Sequence, residues 1–530
     1  MASQQEEKYI LAIDHGTSGA KTAIVSTKGK IMDWVFEEVP LYLGEGGKAE
    51  QDPAEWWAAI KKTIKNVIDK GTVPVEDIVG ICDTSQWSGT VAVDKDGNNL
   101  MNAIIWMDTR GAYLAEQFNK GGIRVSGYNL SKILKFIKIS GGGPTLSGKD
   151  SIEHIWFIKK ELPEIYAKTF KFLEPQDWVN LKFTGKFASS YATIMNHWLT
   201  DIRNINKVHY SKPLLRMVKE SVDKYPELKL STDVLGPVLP EVADELGLSR
   251  DTMVVMGAPD LHSATVGSGA VRNFEGHLCI GTSDWLLCHV PYKKTDINHN
   301  MASLPSAIPG RYLLCFEQEC AGANLQFLRN KMFFHQDELL SGEQMPGVYK
   351  IFDQIVERVK PGSEGLIYTP WLVGERAPVD NPYIRGGFVN LSLDMDREHI
   401  IRAVYEGVAY NVRWAHMYVE KFINKPMDNI NAIGGGAQSN IWCQIFADVL
   451  GRTIRQVDQP IEANARGAGF IGAVGLGYLN PDDIPNYVTF SNVFKPNKDN
   501  KPIYDKLFKE YTFVFDSLKT MYRRLNETKK

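Results

Sequence analysis

The chain has little cysteine, no cysteine pair at CxxC spacing and no uncharged run of the roughly 18 residues that a transmembrane helix needs. Several cysteines lie inside apolar runs, which favours buried, reduced thiols and argues against a cysteine-based metal site: Cys82, Cys279, Cys288, Cys315, Cys320 and Cys443. The first ten residues, MASQQEEKYI, are polar and acidic, unlike a signal sequence. We therefore expect a cytoplasmic protein without a membrane span.

The chain also lacks an excess of charge and a P-loop motif. Its formal net charge is −3, which gives no reason to expect nucleic acid or an anionic membrane as a partner. GxxxxGK[ST] does not occur, and the one GxGxxG match, GAGFIG at 467–472, does not directly follow a predicted strand, so a nicotinamide oxidoreductase is disfavoured and a P-loop fold would lack its motif. At 530 residues the chain is too long for one core, which predicts two large domains.

Residues 252–270, TMVVMGAPDLHSATVGSGA, place a carboxylate at the end of an apolar run. Met253 to Met256 predict a buried strand, which a Gly and Pro turn ends just before Asp260 and a helix of small residues. In open α/β sheets, ligands bind at this end of the strands. Taken alone, Asp260 is equally well explained as the N-cap of a helix from Leu261 onward.

A glycine-rich turn follows the first predicted strand. Residues 9–38 contain three apolar runs separated by DHGTSG and TKGK, which predicts three antiparallel strands. The amides of the first turn and the hydroxyls of Thr17 and Ser18 form a candidate anion site, to which Lys21 can add charge. Asp14 is a candidate Mg²⁺ ligand through water. A hairpin of this kind is more often only a turn.

Two later segments strengthen the interpretation as a phosphate site. Residues 277–291, HLCIGTSDWLLCHVP, repeat the strand, GTS turn and strand, which indicates two similar domains that face each other and offer a turn to one polyphosphate. In residues 430–454 an apolar strand runs into three glycines and then a helix from about Asn440 to Gly451. Backbone of this kind can approach a base or its phosphates, although a tight strand-to-helix turn is the simpler alternative.

Together these segments resemble the FGGY family of carbohydrate kinases, and the resemblance covers nearly the whole chain. It extends to AGANLQFLRN at 321–330, GERAPVDNPYIRGGFVNLS at 374–392 and EANARGAGFIGAVGLG at 462–477. The resemblance implies an α/β fold of two actin-like, ribonuclease H-like ATPase domains with a cleft between them. Residues 1–270 would form the sugar-side domain and residues 271–530 the nucleotide-binding domain.

The xylulokinase-like members of the family look most similar, which implies transfer of the γ-phosphate of ATP to the terminal hydroxyl of a ketopentose such as xylulose. ATP and Mg²⁺ are the implied cofactors, Asp260 the catalytic base, and Asp14 with Asp260 the metal site. The implied nucleotide contacts are Thr17, Ser18, Lys21, Gly281, Thr282, Gly322, Gln326, Gly435, Gly436 and Asn440. Glu375 and Arg376 belong to the family signature and are interpreted as a brace for the cleft loop.

The predicted sugar pocket departs from the family. Its candidate contacts are Gln86, Trp87, Ser88, Trp106, Asp108 and Asp260. Xylulokinases usually carry Met-His where this chain has Trp87 and Ser88, a Lys where it has Gln176, and Asn or Gln where it has Leu261. Tryptophan offers a flat face to sugar CH groups and serine a shorter hydrogen-bonding group, although Trp87 as core filler is an alternative. Substrate identity is therefore not inherited, and the departures indicate a smaller, less polar or differently shaped substrate.

Other functions stay open at this point. The acceptor could be another pentulose or a polyol, such as ribulose, erythritol or a glycerol-like alcohol. A non-catalytic actin-like ATP-binding protein and a chaperone-type ATPase acting on a protein partner are alternatives of another class. A homodimer is the commonest arrangement for a soluble protein that oligomerises.

Overall fold

The computed structural model describes residues 7–333 and 347–527 and contains two large sheets. The first sheet has the strand order Val234–Pro237, Met253–Pro259, Ile78–Ser85, Tyr9–His15, Gly19–Ser26, Ile31–Glu38. The last three strands of this order pair antiparallel, as the hairpin pattern predicted. The strands Ile78–Ser85 and Met253–Pro259 lie parallel to the chain's first strand, so their carboxyl ends meet at one edge.

The second sheet repeats this core. Its order is Thr295–Asp296, Met301–Pro305, Tyr312–Cys315, Asp284–Val290, Gly276–Ile280, Asn429–Ile433, Thr453–Val457, Phe490–Phe494, with Glu317–Gln318 paired beside Asp284–Val290. As in the first sheet, three antiparallel strands are followed by two strands parallel to the first of the trio. The duplication predicted from the two GTS turns is therefore present in the topology. We call the two sheets with their helices the first and second lobes.

Helices cover both sheets, and short strands fill the connections. The longer helices are Pro53–Asp69, Leu130–Ser140, Ser151–Glu161, Pro175–Thr184, Val348–Arg358, Arg397–Ile423, Asn440–Leu450, Ala463–Gly475 and Lys501–Asn526, and the shorter ones Ala112–Phe118, Pro163–Lys168, Lys212–Val218, Pro240–Leu246, Asp260–Gly267 and Gly322–Phe327. The small sheets use Tyr42–Gly44, Lys48–Gln51, Val91–Val93, Ala103–Ile104, Arg124–Val125, Tyr128–Asn129, Lys171–Leu173, Ala188–Ser190, Thr200–Asp201, His209–Tyr210, Glu227–Lys229, Ile367–Thr369 and Gly387–Val389.

The helix Ala463–Gly475 comes late in the chain but packs on the first sheet. Its glycines allow close contact, since a methyl group added at Gly467 would overlap the carbonyl oxygen of Ser263 on the helix Asp260–Gly267. Gly469 lies against Val25 of the first sheet in the same way. This helix pair lies beside the end of the strand that leads to Asp260.

Two helix boundaries follow from their capping residues. Asp396 accepts the N–H groups of Glu398 and His399 and begins the helix Arg397–Ile423, which ends at Asn424 in the left-handed region.

In the part of the chain that the structure describes, no helix is both long and apolar enough to cross a membrane. The six cysteines are free thiols, four of them buried and two partly so.

Candidate functional site

Asp260 lies at the end of the strand Met253–Pro259, at the edge where the parallel strands of the first sheet end. The helix begins at Asp260 itself and its N-cap is Pro259, so the interpretation of Asp260 as the N-cap of a helix from Leu261 is wrong. Its Oδ1 accepts the N–H of Leu261 at 2.7 Å. The residue is partly exposed.

Charged groups of both lobes affect the pKa of Asp260. The pKa of Asp260 is raised to about 7, chiefly by burial; the amide of Leu261 opposes this rise, and the nearby carboxylates of Asp14 and Glu317 add to it. Asp14 belongs to the first sheet and Glu317 to the second. Asp260 therefore sits between the lobes, with a pKa suited to accept a proton near neutral pH.

The end of the first strand carries a small charged cluster. Burial raises the pKa of Asp14, while Lys21 and a hydrogen bond from Asn464 lower it. The Nζ of Lys21, predicted to contact a phosphate, lies 2.8 Å from Oε2 of Glu462. Glu462 and Asn464 had no assigned role in the sequence, although the EAN of the 462–477 segment was a usable signal. They bring the start of the helix Ala463–Gly475 onto the first GTS turn.

Thr17 connects that turn to the predicted acceptor pocket. Its hydroxyl donates to Oε1 of Gln86 at 3.1 Å and accepts the indole N–H of Trp106 at 2.9 Å. Gln86 in turn donates to Oε1 of Gln51 at 2.8 Å. Gln51 is fully buried and also donates to the carbonyl of Thr17 at 2.9 Å, a role that no sequence signal marked. The structure thus joins three predicted residues in one hydrogen-bonded group, whereas Ser18 is exposed.

The next turn of the pocket holds Trp87 and Ser88. The indole N–H of Trp87 donates to the carbonyl of Thr193 at 2.7 Å, and the ring meets His262 edge-on with centroids 5.4 Å apart. Trp87 is only partly buried. Ser88 adopts a left-handed backbone with φ of 63°, which is a strained conformation for a residue with a side chain. The amide of Gly89 is fixed by Oε2 of Glu174 at 2.9 Å.

The sequence predicts Asp108 as a substrate contact, but the protein's own groups bind its carboxylate. It is 1% exposed, and its Oδ2 accepts the N–H of Ala49 at 2.9 Å while Arg110 binds both of its oxygens. The carboxylate is committed to holding the strand Lys48–Gln51. We therefore correct Asp108 from a substrate contact to a support of the pocket wall.

The second GTS turn is enclosed by backbone rather than by side chains. The amide of Gly322 donates to the carbonyl of Gly281 at 2.8 Å, and the amides of Ala321 and Ala323 donate to the carbonyl of Thr282. A Cβ atom added at Gly322 would lie 2.6 Å from the Gly281 oxygen. Gly281, Thr282 and Gly322 are thus brought together as predicted contacts of one ligand.

The triple glycine borders the same turn. The strands Gly276–Ile280 and Asn429–Ile433 are parallel and end together, so that a Cβ atom added at Gly436 would overlap Ile280. Gly435 is exposed with open space beside it. Asn440 is also exposed, and its Oδ1 accepts the amide of Gln456 at 3.1 Å. Gln326 is exposed on the helix Gly322–Phe327, one turn after Gly322 and on the same face.

Glu375 and Arg376 brace the cleft loop, in line with the prediction. Glu375 is 4% exposed and accepts the side-chain amide of Asn411 at 2.6 Å and the backbone amide of Glu319 at 3.1 Å. Arg376 pairs with Glu319 at 3.0 Å and with Glu317. Arg376 thereby holds Glu317, one of the acids that raise the pKa of Asp260.

The chemistry of the donors can be tested against the implied Mg²⁺. Within residues 7–333 and 347–527 no group of three or more His, Cys, Asp or Glu side chains converges as a complete metal site. The carboxylate of Asp14 nevertheless lies close enough to Asp260 to raise the pKa of Asp260. Two carboxylates fit Mg²⁺, because this ion is usually held by one or two carboxylates together with water and substrate phosphates.

Two sheets with one topology, a glycine-rich turn from each, and a carboxylate between them define a two-lobed α/β protein of the actin-like ATPase class. The N-terminal domain model of the FGGY family of carbohydrate kinases matches residues 9–267, and the C-terminal domain model of the same family matches residues 276–476. The chain belongs to this family and is a carbohydrate kinase. As such it takes ATP as phosphoryl donor and a small-molecule sugar as acceptor.

The relatives include kinases of two kinds of sugar. The chain is 28% identical to the xylulose kinase of Staphylococcus epidermidis over 97% of its own length and 98% of that protein. It is 25% identical to the gluconokinase of Bacillus subtilis over 98% of its own length and 97% of that protein. Among solved structures, xylulose kinase from Lactobacillus acidophilus superposes with a TM-score of 0.84 at 24% identity, covering 98% of this chain and 100% of that one.

Proposed function

We propose that the protein phosphorylates the terminal hydroxyl of a ketopentose, with xylulose as the first candidate, and that Asp260 is the general base. The observation that carries this proposal is the position of Asp260, partly exposed between carboxylates of both lobes with a pKa raised to about 7. The xylulose kinases among the relatives support the choice of a pentulose. Family membership removes support from a chaperone-type ATPase or a non-catalytic protein.

In the proposed mechanism, Asp260 accepts the proton of the attacking hydroxyl as that oxygen approaches the γ-phosphorus in line with the leaving oxygen. For a 2-ketopentose this is the C5 hydroxyl. Gln86, Trp87, Ser88 and Trp106 orient the acceptor, since they line the turn and strand ends beside Asp260. Positioning supplies most of the acceleration, because the transition state of phosphoryl transfer is loose.

The nucleotide would lie along the second lobe. Gly281, Thr282 and Gly322 present backbone to its phosphates, and Gly435, Gly436, Asn440 and Gln326 border the region for its nucleoside. Thr17, Ser18 and Lys21 would meet the phosphates from the first lobe. Asp14 and Asp260 would hold Mg²⁺, which supplies positive charge to neutralise the phosphate oxygens when bound.

The substrate assignment is tested by a panel of pentuloses, hexuloses, polyols and aldonic acids, scored by ADP release with purified protein. We expect the highest kcat/KM with a pentulose and no ADP release without an acceptor. ADP release that is independent of every acceptor would contradict the proposed function. An Asp260→Asn variant serves as the control for contaminating kinases.

A sugar acid such as gluconate is a second candidate acceptor, favoured by one observation. The Nζ of Lys149 lies 5.9 Å from the ring centroid of Trp106, which is hydrogen-bonded to Thr17 in the acceptor pocket. In the described ranges no carboxylate pairs with Lys149. An unpaired cation at this place can meet the carboxylate of an aldonate. If the substrate is an aldonate, Lys149→Met should raise its KM by about tenfold or more and leave the KM of neutral acceptors unchanged.

A further inference from the structure

A chain of hydrogen bonds joins the turn of Trp87 to the strand that leads to Asp260. The indole N–H of Trp87 donates to the carbonyl of Thr193 at 2.7 Å, and the hydroxyl of Thr193 donates to Oε1 of Gln176 at 2.8 Å. The Nε2 of Gln176 then donates to the carbonyls of Asp83 and Met256 at 2.7 and 2.9 Å. Thr193 is 1% exposed and Gln176 fully buried, so these bonds exchange little with water.

Gln176 satisfies carbonyls that the sheet itself leaves unpaired. The strand Met253–Pro259 has a bulge between Val255 and Ala258 where it pairs with Ile78–Ser85. Gly257 within it has φ of 77°, and a Cβ atom added there would overlap the carbonyl oxygen of Asp83 and the Gln176 amide. A bulge re-aims the residues that follow it. Gln176 fixes the direction in which the strand leads to Asp260, together with Asn180, whose Nδ2 also donates to the carbonyl of Met256 at 2.8 Å.

At its other end, the chain of contacts reaches the helix Asp260–Gly267. The Trp87 ring meets His262, two residues beyond Asp260, and the Nε2–H of His262 donates to the carbonyl of Pro305 in the second sheet at 3.1 Å. Trp87 is thus held by Thr193 at its N–H and by the catalytic helix at its ring. The spacing between the acceptor turn and Asp260 depends on both contacts.

We propose that Trp87, Thr193 and Gln176 act as one positioning unit that sets the distance from the turn at residues 86–89 to Asp260, and thereby selects acceptor alcohols by their length. This inference rests on the proposed function. Trp87 lines the proposed acceptor site, whereas Thr193 and Gln176 contact no reactant and act only through Trp87 and the bulge. Two of the three, Trp87 and Gln176, are positions at which the chain departs from the family pattern.

A double-mutant cycle tests the unit. Trp87→Phe removes the N–H donor and keeps an aromatic ring, and Thr193→Val removes the hydroxyl and keeps the volume. Each should lower kcat/KM for the preferred acceptor by about three- to tenfold, the range for one lost hydrogen bond, and the double variant should be no worse than the poorer single variant. The preference for a pentulose over a hexulose should fall by a similar factor, with KM for ATP unchanged.

Matched controls separate the unit from general damage. Trp57→Phe alters a tryptophan that packs on Phe183 at 4.9 Å, and Thr512→Val alters an exposed hydroxyl on the last helix. Both should leave kcat/KM and acceptor preference unchanged. Melting temperatures establish folding, and if Thr193→Val is unfolded, the acceptor preference of Trp87→Phe decides alone.

Effects that multiply in the double variant, or equal losses for all acceptors, would overturn the positioning unit while the wild type remains a sugar kinase. If the wild type itself transfers phosphate to no acceptor of the panel, the proposed function fails and this inference with it. The two failures are therefore distinguishable in one experiment.

Discussion

The two GTS turns occupy equivalent places in two sheets of the same topology, yet their surroundings differ. Thr17 of the first turn is hydrogen-bonded to the side chains of Gln86 and Trp106. The second turn is bound through its backbone, by the amides of residues 321–323, and the side chain of Thr282 is exposed. The first turn is therefore tied through a side chain to two predicted acceptor contacts, whereas the second is held by backbone alone.

The largest effect is expected at the carboxylate between the two turns. Asp260→Asn keeps the shape of the side chain but removes its basicity, so kcat should fall by about 10² to 10⁴ while ATP still binds. Single-turnover kinetics and ATP titration by fluorescence measure the two properties separately. Retained acceptor-dependent turnover in purified Asp260→Asn would falsify the assignment of the base.

The same residue predicts a pH dependence. A general base must be ionised, and burial raises the pKa of Asp260 to about 7, so kcat/KM for the acceptor should be level above this pH and fall about tenfold per unit below it. Rates measured from about pH 5.5 to 9 at saturating ATP locate the acidic limb of the pH profile of kcat/KM, with the coupling enzymes checked at each pH. A limb near 4, the usual range of an aspartate, would mean that the carboxylate is solvated in the free enzyme.

The second turn is tested by adding one methyl group. Gly322→Ala places a Cβ atom 2.6 Å from the Gly281 oxygen and should displace the turn, which raises KM for ATP by about tenfold if the overpacking costs about 1.4 kcal/mol. KM for the acceptor should not change. Gly387→Ala, outside the predicted site, is the matched control, because a Cβ atom added there meets only the hydroxyl of Tyr522 at 3.9 Å.

The smallest effect is expected at the hydroxyl of the first turn. Thr17→Val loses two hydrogen bonds to the acceptor side, which should raise KM for the acceptor by about three- to tenfold. Thr282→Val in the second turn should affect KM for ATP instead. Equal effects of the two variants on both constants would show that the turns are functionally alike despite their different neighbours.

The sequence alone was sufficient for features that depend on local pattern. The antiparallel trio, the second hairpin and the helix end at Gly451 follow from apolar periodicity, turn residues and caps. The family resemblance supplied the fold and the kinase activity, which the family matches confirm.

Features that depend on distant partners were not predictable in this way. The sequence shows Asp108 as a polar residue after an apolar run, but its burial against Ala49 and Arg110 is decided by the strand Lys48–Gln51. Gln51 and Thr193 act through contacts with residues far along the chain, so no spacing in the sequence marks them. The roles assigned to the remaining site residues stay predictions.

The return of residues 463–475 to the first sheet has a consequence for how the protein forms. A ribosome must release almost the entire polypeptide before Val25 and Ser263 acquire the partner that covers them. During synthesis this apolar face stays open to water or chaperones, and a fragment cut at residue 270 would keep it open permanently. We expect such a fragment to aggregate, and the two halves to become soluble when they are produced together.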